Sequence, residues 1–458
     1  MKRFFCCLFA IVAIFTFTSE GREKPNILFV LFDDMGYGEP TSYRPTSLFK
    51  TPNIDRMAKE GMRFTDAHSS AASCTPTRYG FLTGRYPHRI GQFGVLSTFS
   101  PPLIPDTRLT IASYLKRNGY TTACIGKWHL GMNWDRPKTK GKNKTKEKLK
   151  IGEKMTGGPN AIGFEYFYGF THARNFQSVI EQDTVVREVK PVENQPLMIA
   201  RAVDFLKEQS SNKEKPFFLY FPMCPPHKPV VPAPEYVGKG GGGGKGSYGD
   251  WVYQGDSMLG QLLDTLESTG LARKTLVLVS ADNGAAGRDY PPLRDNKGSI
   301  YEGGHREPFL AKWPGRIKPG SKSDQIISIT DIFSTCSEII GVPLPDSAGE
   351  DSVSFLDCML EKQVGPFREA SVQQSGKKAL AIRKGKWKLI VHGDNKRELF
   401  DLNADIGEAN NVIRTHPQVA TELAHLLQSY LDRGRSTPGK AQPLEYKILL
   451  DEIRFKKK

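Results

Sequence analysis

Beyond its leader, the 458-residue sequence lacks any apolar run long enough to cross a bilayer, which leaves no candidate there for a membrane-spanning helix. It lacks internal repeats, so a solenoid or propeller is not indicated. It is poor in cysteine. Cys6 and Cys7 lie in the leader, and the remaining Cys74, Cys124, Cys224, Cys336 and Cys358 are odd in number. Their spacings fit neither a disulfide framework nor a zinc site, so at least one thiol is not accounted for by pairing. The lysine-rich run lacks interleaved aromatics and no nucleic-acid module is recognisable, which counts against nucleic acid as a partner. The charge of +15, from 64 basic and 49 acidic side chains, favours a polyanion and by itself does not choose between anionic lipid and an acidic polysaccharide.

What is present begins with MKRFFCCLFAIVAIFTFTSEG, an export signal. Lys2 and Arg3 precede an apolar run from Phe4 to Phe17, and Ser19 to Gly21 offer small residues for cleavage, so residues 1–21 are expected to be removed. A periplasmic or extracellular location follows from that reading. At this length two or three domains are expected.

Over residues 25–345, short apolar runs alternate with amphipathic patterns, which predicts an α/β domain with a large, mostly parallel sheet between helices. The expected strands are Asn26–Phe32, Thr121–Ile125, Phe217–Met223, Thr275–Ala281 and Gln325–Ile329. The expected helices are Asn53–Glu60, Arg108–Asn118, Leu197–Glu208, Asp256–Ser268 and Asp331–Ile340. The lysine-rich loop 138–150 and the glycine-rich loop 238–246 are both expected to be exposed. Strands at Ala379–Arg383, Trp387–Val391 and Glu398–Leu402 and a helix at Pro417–Leu431 predict a smaller α+β domain with a basic tail. The boundaries are 22–345 for the catalytic domain and 346–458 for the second.

The ends of the strands carry the polar residues. NILFVLF runs into Asp33 and Asp34, and TLVLVSA into Asp282 and Asn283. If these strands are parallel neighbours, three carboxylates and an amide oxygen share the carboxyl edge, a donor set for calcium or magnesium. Lys127 and His129 follow a third strand, His227 a fourth, and Lys297 lies in the loop after Asp282-Asn283. In CTPTRYGFLTG, Pro76 suits a first helical turn, which places Cys74 at a helix N-terminus with Arg78 one turn on. The residues thus describe an anion pocket beside a cation site, with a potential nucleophile between them. A thiolate paired with a histidine base explains only half of this, because such a hydrolase has no use for a hard cation.

Cys74-Thr75-Pro76-Thr77-Arg78, followed by Thr83-Gly84-Arg85, resembles the signature of formylglycine-dependent type I sulfatases, arylsulfatase-like members of the alkaline phosphatase superfamily. PNILFVLFDDMGYG, GKWHLG, PPHKP, ADNG and NKGSIYEGGHREP look like further motifs of that family, in its order. Thr77 departs slightly, since the family more often has serine or alanine there. The resemblance implies a sulfuric ester hydrolase in which a maturation enzyme converts Cys74 to formylglycine, and the hydrated aldehyde attacks sulfur through a covalent sulfate intermediate. It implies one calcium ion on Asp33, Asp34, Asp282, Asn283 and the modified Cys74. Arg78 would hold the diol and His129 would take the proton that triggers sulfate release. Lys127, His227 and Lys297 would bind the sulfate, with His227 or Lys297 protonating the leaving alcohol.

With the export signal, this makes sulfated polysaccharides or oligosaccharides the expected substrate. Two alternatives stand beside it: a phosphomonoester or phosphonate monoester hydrolase of the same superfamily, and a catalytically silent carbohydrate-binding relative. His88, Trp134, Arg136, His172, Arg174 and Arg294 are candidates for a sugar subsite or for ordinary packing. Asn143-Lys144-Thr145 matches a glycosylation acceptor, a pattern too common to use.

Overall fold

The computed structural model describes residues 24–135, 148–212, 214–362, 365–394 and 396–450, and the backbone of 454–457. The leader, Arg136 and the 143–145 acceptor lie outside the described residues.

A ten-stranded sheet forms the centre. Its order is Ser321–Ser323, Met62–Phe64, Phe309–Lys312, Thr275–Ala281, Asn26–Asp33, Phe217–Pro226, Thr121–Lys127, Tyr166–Phe170, Ser178–Glu181 and Thr184–Glu188. The five strands from Thr275–Ala281 to Tyr166–Phe170 are mutually parallel; the flanking strands join antiparallel, except that Ser321–Ser323 at one edge pairs parallel with Met62–Phe64. Alternation along Asn26–Asp33 explains why the sheet is covered on both faces. Ile27, Phe29 and Leu31 enter one apolar cluster and Leu28, Val30 and Phe32 the other, all fully buried.

The helices lie at Pro52–Glu60, Ile111–Arg117, Pro191–Ser211, Tyr248–Ser268 and Ile332–Ile340. Two run well past their sequence limits, because Asn194, Gln195, Gly249 and Gln254 are polar or small yet buried by tertiary packing, which blunts the periodic signal. The expected strand Gln325–Ile329 shrinks to Ile327–Ser328, which pairs with Ala67–His68 outside the large sheet. Ser328 and Asp331 form a capping box there and turn the chain into a short helical turn, Ile329–Asp331.

The loop expectations need two corrections. Leu149 is buried despite its lysine neighbours. Gly240 is also buried, and a Cβ there would meet Gly249 O at 1.9 Å. The Asp250 carboxylate collects the amides of Gly238, Gly240 and Gly246, each at 2.8 Å, which organises a segment that composition alone leaves unstructured.

Toward the C-terminus, Ser371–Gln374, Leu380–Lys384, Trp387–Val391 and Arg397–Asp401 form an antiparallel sheet. One face, with Ile382 and Leu389, packs on Leu423 and Leu427 of the helix Pro417–Asp432. The other, with Ala381, Ile390 and Phe400, packs on Ile300. No helix among the described residues is long and apolar enough to cross a membrane.

Candidate active site

The strands Asn26–Asp33 and Thr275–Ala281 are parallel neighbours in register, with Phe32 opposite Ala281. That register brings the two polar doublets together: Asp34 N–H donates to Asp282 Oδ1 (3.1 Å) and Asn283 Nδ2 to Asp34 Oδ1 (2.7 Å). Phe217–Pro226 and Thr121–Lys127 continue the same edge and deliver His227, Lys127 and His129. Cys74 opens the helix Cys74–Thr83, which ends at Gly84 in the left-handed conformation (φ 64°).

Each carboxylate has a cationic partner. Lys127 Nζ donates to Asp33 Oδ2 (2.6 Å), Arg78 donates through Nε and Nη2 to Asp282 Oδ2 (3.0 and 2.6 Å), and Lys297 Nζ donates to Asp34 Oδ1. His227 Nε2 lies 3.6 Å from Asp34 Oδ2. Burial opposes charge on Asp33, but Lys127, His227, Arg78 and Lys297 together outweigh it and hold the carboxyl well below its usual range. Burial, then the Asp33 charge, push Asp282 the other way.

Two buried oxygens, Asp33 Oδ1 and Asn283 Oδ1, have no hydrogen-bond partner in the protein. Acceptors left bare beside two further carboxylates fit a hard cation, and Asp33, Cys74 and Asp282 bring ligand-type atoms within 4.8 Å of one another.

Burial raises the Cys74 thiol above its ordinary value despite Lys127 and Lys297, so the side chain is a neutral thiol and not a ready thiolate. His129 is neutral as well. Burial first, then the charge on Lys127, lower it well below the usual histidine value. Its Nε2 faces the Leu96 carbonyl oxygen at 3.0 Å, which can only accept, so Nε2 carries the hydrogen. Nδ1 is buried without a partner and is the atom free to take a proton.

The sequence-selected residues divide. Asp33, Asp34, Cys74, Arg78, Lys127, His129, His227, Asp282, Asn283 and Lys297 form this one cluster. His172 joins its margin, its ring 5.3 Å from that of His129 and its Nε2 2.7 Å from Thr98 Oγ1. Trp134 donates to Thr98 O on the same loop (3.0 Å), and Arg174 is exposed beside it. His88 is buried against Tyr86, and Arg294 lies 3.6 Å over the Tyr301 ring and donates to Glu408 O, so both serve packing. Sequence reasoning missed Leu96, which acts through a backbone carbonyl available to any residue type. It also missed Thr171, whose carbonyl accepts the His129 N–H (2.7 Å).

An edge that fixes cations around a carboxylate cluster is suited to an anionic ligand. Comparison with known proteins makes the class definite. Residues 25–342 match the sulfatase family model and residues 295–436 that of the N-sulphoglucosamine sulphohydrolase C-terminal region. The chain belongs to the sulfatase family and is a sulfuric ester hydrolase. It is 30% identical to N-acetylgalactosamine-6-O-sulfatase of Bacteroides thetaiotaomicron, over 90% of this chain and 94% of that one. It is 32% identical to arylsulfatase A of Bos taurus, over 87% and 85%. A solved structure described under the metabolism of multiple glycosaminoglycans by Bacteroides thetaiotaomicron superposes with a TM-score of 0.79 at 28% identity, covering 89% of this chain and 99% of that chain.

Proposed function

We propose that the protein is an exported sulfatase that removes sulfate from sulfated polysaccharides or oligosaccharides of the glycosaminoglycan type, with Cys74 as the precursor of formylglycine. The observation that carries this reading is a buried, neutral Cys74 at a helix start, set among Asp33, Asp282, Lys127 and Lys297. A thiol held uncharged makes a poor nucleophile, and no step of thiolate chemistry accounts for its surroundings. The sulfated amino sugar in the name of one relative and the glycosaminoglycans in the description of another support the substrate class.

Asp33, Asp34, Asp282, Asn283 and the modified residue 74 would hold calcium, which lowers the pKa of a bound hydroxyl and neutralises charge. Formylglycine supplies, as its hydrate, one hydroxyl to attack sulfur and a second to expel sulfate. The remaining work falls to the chain's own side chains. Lys127 and Lys297 keep their protons, because Asp33 and the neighbouring acids outweigh the burial that opposes their charge. Together with His227 they clamp the sulfate oxygens, a preorganised field at a largely buried edge. Lys297 and His227, the partly exposed members, face the leaving alcohol and one of them protonates it. Arg78 holds Asp282 and Asp33 in place, and His129 Nδ1 accepts the proton that accompanies sulfate release.

Matched aryl sulfate and aryl phosphate esters test the proposal. Sulfate release that exceeds phosphate release, followed by desulfation within a panel of sulfated oligosaccharides, is the expected result. Dominant phosphate release would make the protein a phosphoester hydrolase instead.

A further inference from the structure

Thr75 follows the reactive cysteine and is fully buried. Its hydroxyl donates to the His129 carbonyl oxygen (2.9 Å) and accepts from the Leu96 N–H (3.2 Å). The Leu96 carbonyl in turn accepts from His129 Nε2 (3.0 Å). Three hydrogen bonds therefore close a ring through one hydroxyl, one loop residue and one imidazole. Two features make such a ring necessary. His129 has φ 58°, a left-handed conformation that side chains other than glycine avoid. Leu96 sits in residues 91–100, which form neither helix nor strand and expose Gly94, Val95 and Ser97. That loop is tied on its far side at Thr98, by Trp134 and His172.

We propose that Thr75 is a positioning residue for His129. Resting on the sulfatase reading above, its hydroxyl fixes the Leu96 peptide whose carbonyl selects the Nε2–H tautomer, and so keeps Nδ1 free and aimed as the base. Any side chain at position 75 without a hydroxyl leaves the His129 carbonyl and the Leu96 amide unpaired while the helix that bears Cys74 stays intact.

The test compares wild type, Thr75→Val and Thr75→Ser, with formylglycine content measured by peptide mass spectrometry and rates expressed per converted site. In protein with unconverted Cys74, Thr75→Val should speed hydrogen exchange at the Leu96 amide by about tenfold or more, without changing protection in Cys74–Thr83. In converted protein, kcat and KM for 4-nitrophenyl sulfate should fall together by roughly 10–100-fold, leaving kcat/KM unchanged, because His129 acts after the alcohol has left. One equivalent of nitrophenol should then appear at the wild-type rate before slow turnover. Thr75→Ser should restore all of these. Unchanged Leu96 exchange, equal slowing of the first and later turnovers, or failure of serine to rescue would overturn the proposal. If Thr75→Val does not fold, Thr75→Ala is read by the same criteria. Absence of sulfate release by the converted wild type would overturn the sulfatase reading instead, and the exchange measurement would still judge Thr75.

Discussion

Two buried clusters of ionisable side chains stand in contrast, one at the carboxyl edge of the large sheet and the other between that sheet and the C-terminal sheet. In the first, Asp33, Asp34 and Asp282 face Arg78, Lys127 and Lys297. In the second, Asp66, Glu302 and Glu408 face Arg306, Arg383 and Lys388. Each has three carboxylates and three fixed cations, and each includes neutral histidines. Charge balance therefore does not separate them.

What separates them is which atoms are left over. In the second cluster every histidine nitrogen is engaged. With both rings neutral, His68 Nε2 donates to Asp66 Oδ1 (2.7 Å), His305 Nδ1 donates to His68 Nδ1 (3.0 Å), and His305 Nε2 accepts from Lys388 Nζ (3.1 Å). His68, Glu302 and His305 resemble a metal triad, but Lys388 Nζ already lies 2.9 Å from Glu302 Oε1 and 3.1 Å from His305 Nε2. In the first cluster Asn283 Oδ1 and His129 Nδ1 have no hydrogen-bond partner, Asp33 Oδ1 has only Arg78 Nη2 at 3.5 Å, and Lys297 and His227 reach solvent, whereas Glu408 Oε1 of the second lies 2.7 Å from Lys388 Nζ. A satisfied cluster acts as a latch, whereas one with unspent acceptors can act on a ligand.

Substitutions sharpen the contrast. Cys74→Ala should have the largest effect, a loss of turnover by about 10⁴-fold or more, with an unchanged melting temperature and circular dichroism. His129→Ala should lower kcat by roughly 10²–10⁴-fold while kcat/KM holds, as steady-state kinetics on an aryl sulfate will register. Lys388→Met should act on the other cluster alone. It leaves the buried Glu408 without its cation, while Glu302 keeps Arg306, at a cost of roughly 3–5 kcal/mol, measured by denaturant unfolding, while kcat of the folded enzyme persists. A loss of kcat without a loss of stability in that variant would erase the distinction between latch and site.

The smallest effect is on pH dependence. Burial lowers both His68 and His305 below their ordinary value of 6.5. The unfolded chain therefore binds protons that the folded chain refuses, so stability is full above about pH 6.5 and falls on acidification through it. The depressed Asp66 and Glu302 carboxyls lose their contribution in the same direction at lower pH. Denaturation midpoints between pH 7 and pH 5 should decline, and His68→Asn should make the decline shallower.

Much of the first cluster was legible because each residue follows a strand that reads clearly: Asp33 after NILFVLF, Asp282 after TLVLVSA, His227 after FFLYFPMC. Strand ends that converge need only the parallel order to place them. The second cluster left no such trace. Asp66, Glu302 and Glu408 lie in short or irregular segments, and their cations come from Arg383 and Lys388 on strands of the other sheet. Only tertiary packing brings them together. Leu96 and Gly240 were missed for a related reason, since each acts through its backbone.

The central claim is that Cys74 acts as formylglycine and not as a thiol. Mass spectrometry of the peptide spanning residue 74, paired with sulfate release from the same preparations, tests it directly. The account predicts that preparations made with a maturation enzyme contain the lighter aldehyde form and that turnover scales with its fraction. Full turnover by protein whose residue 74 is entirely unmodified cysteine would contradict it.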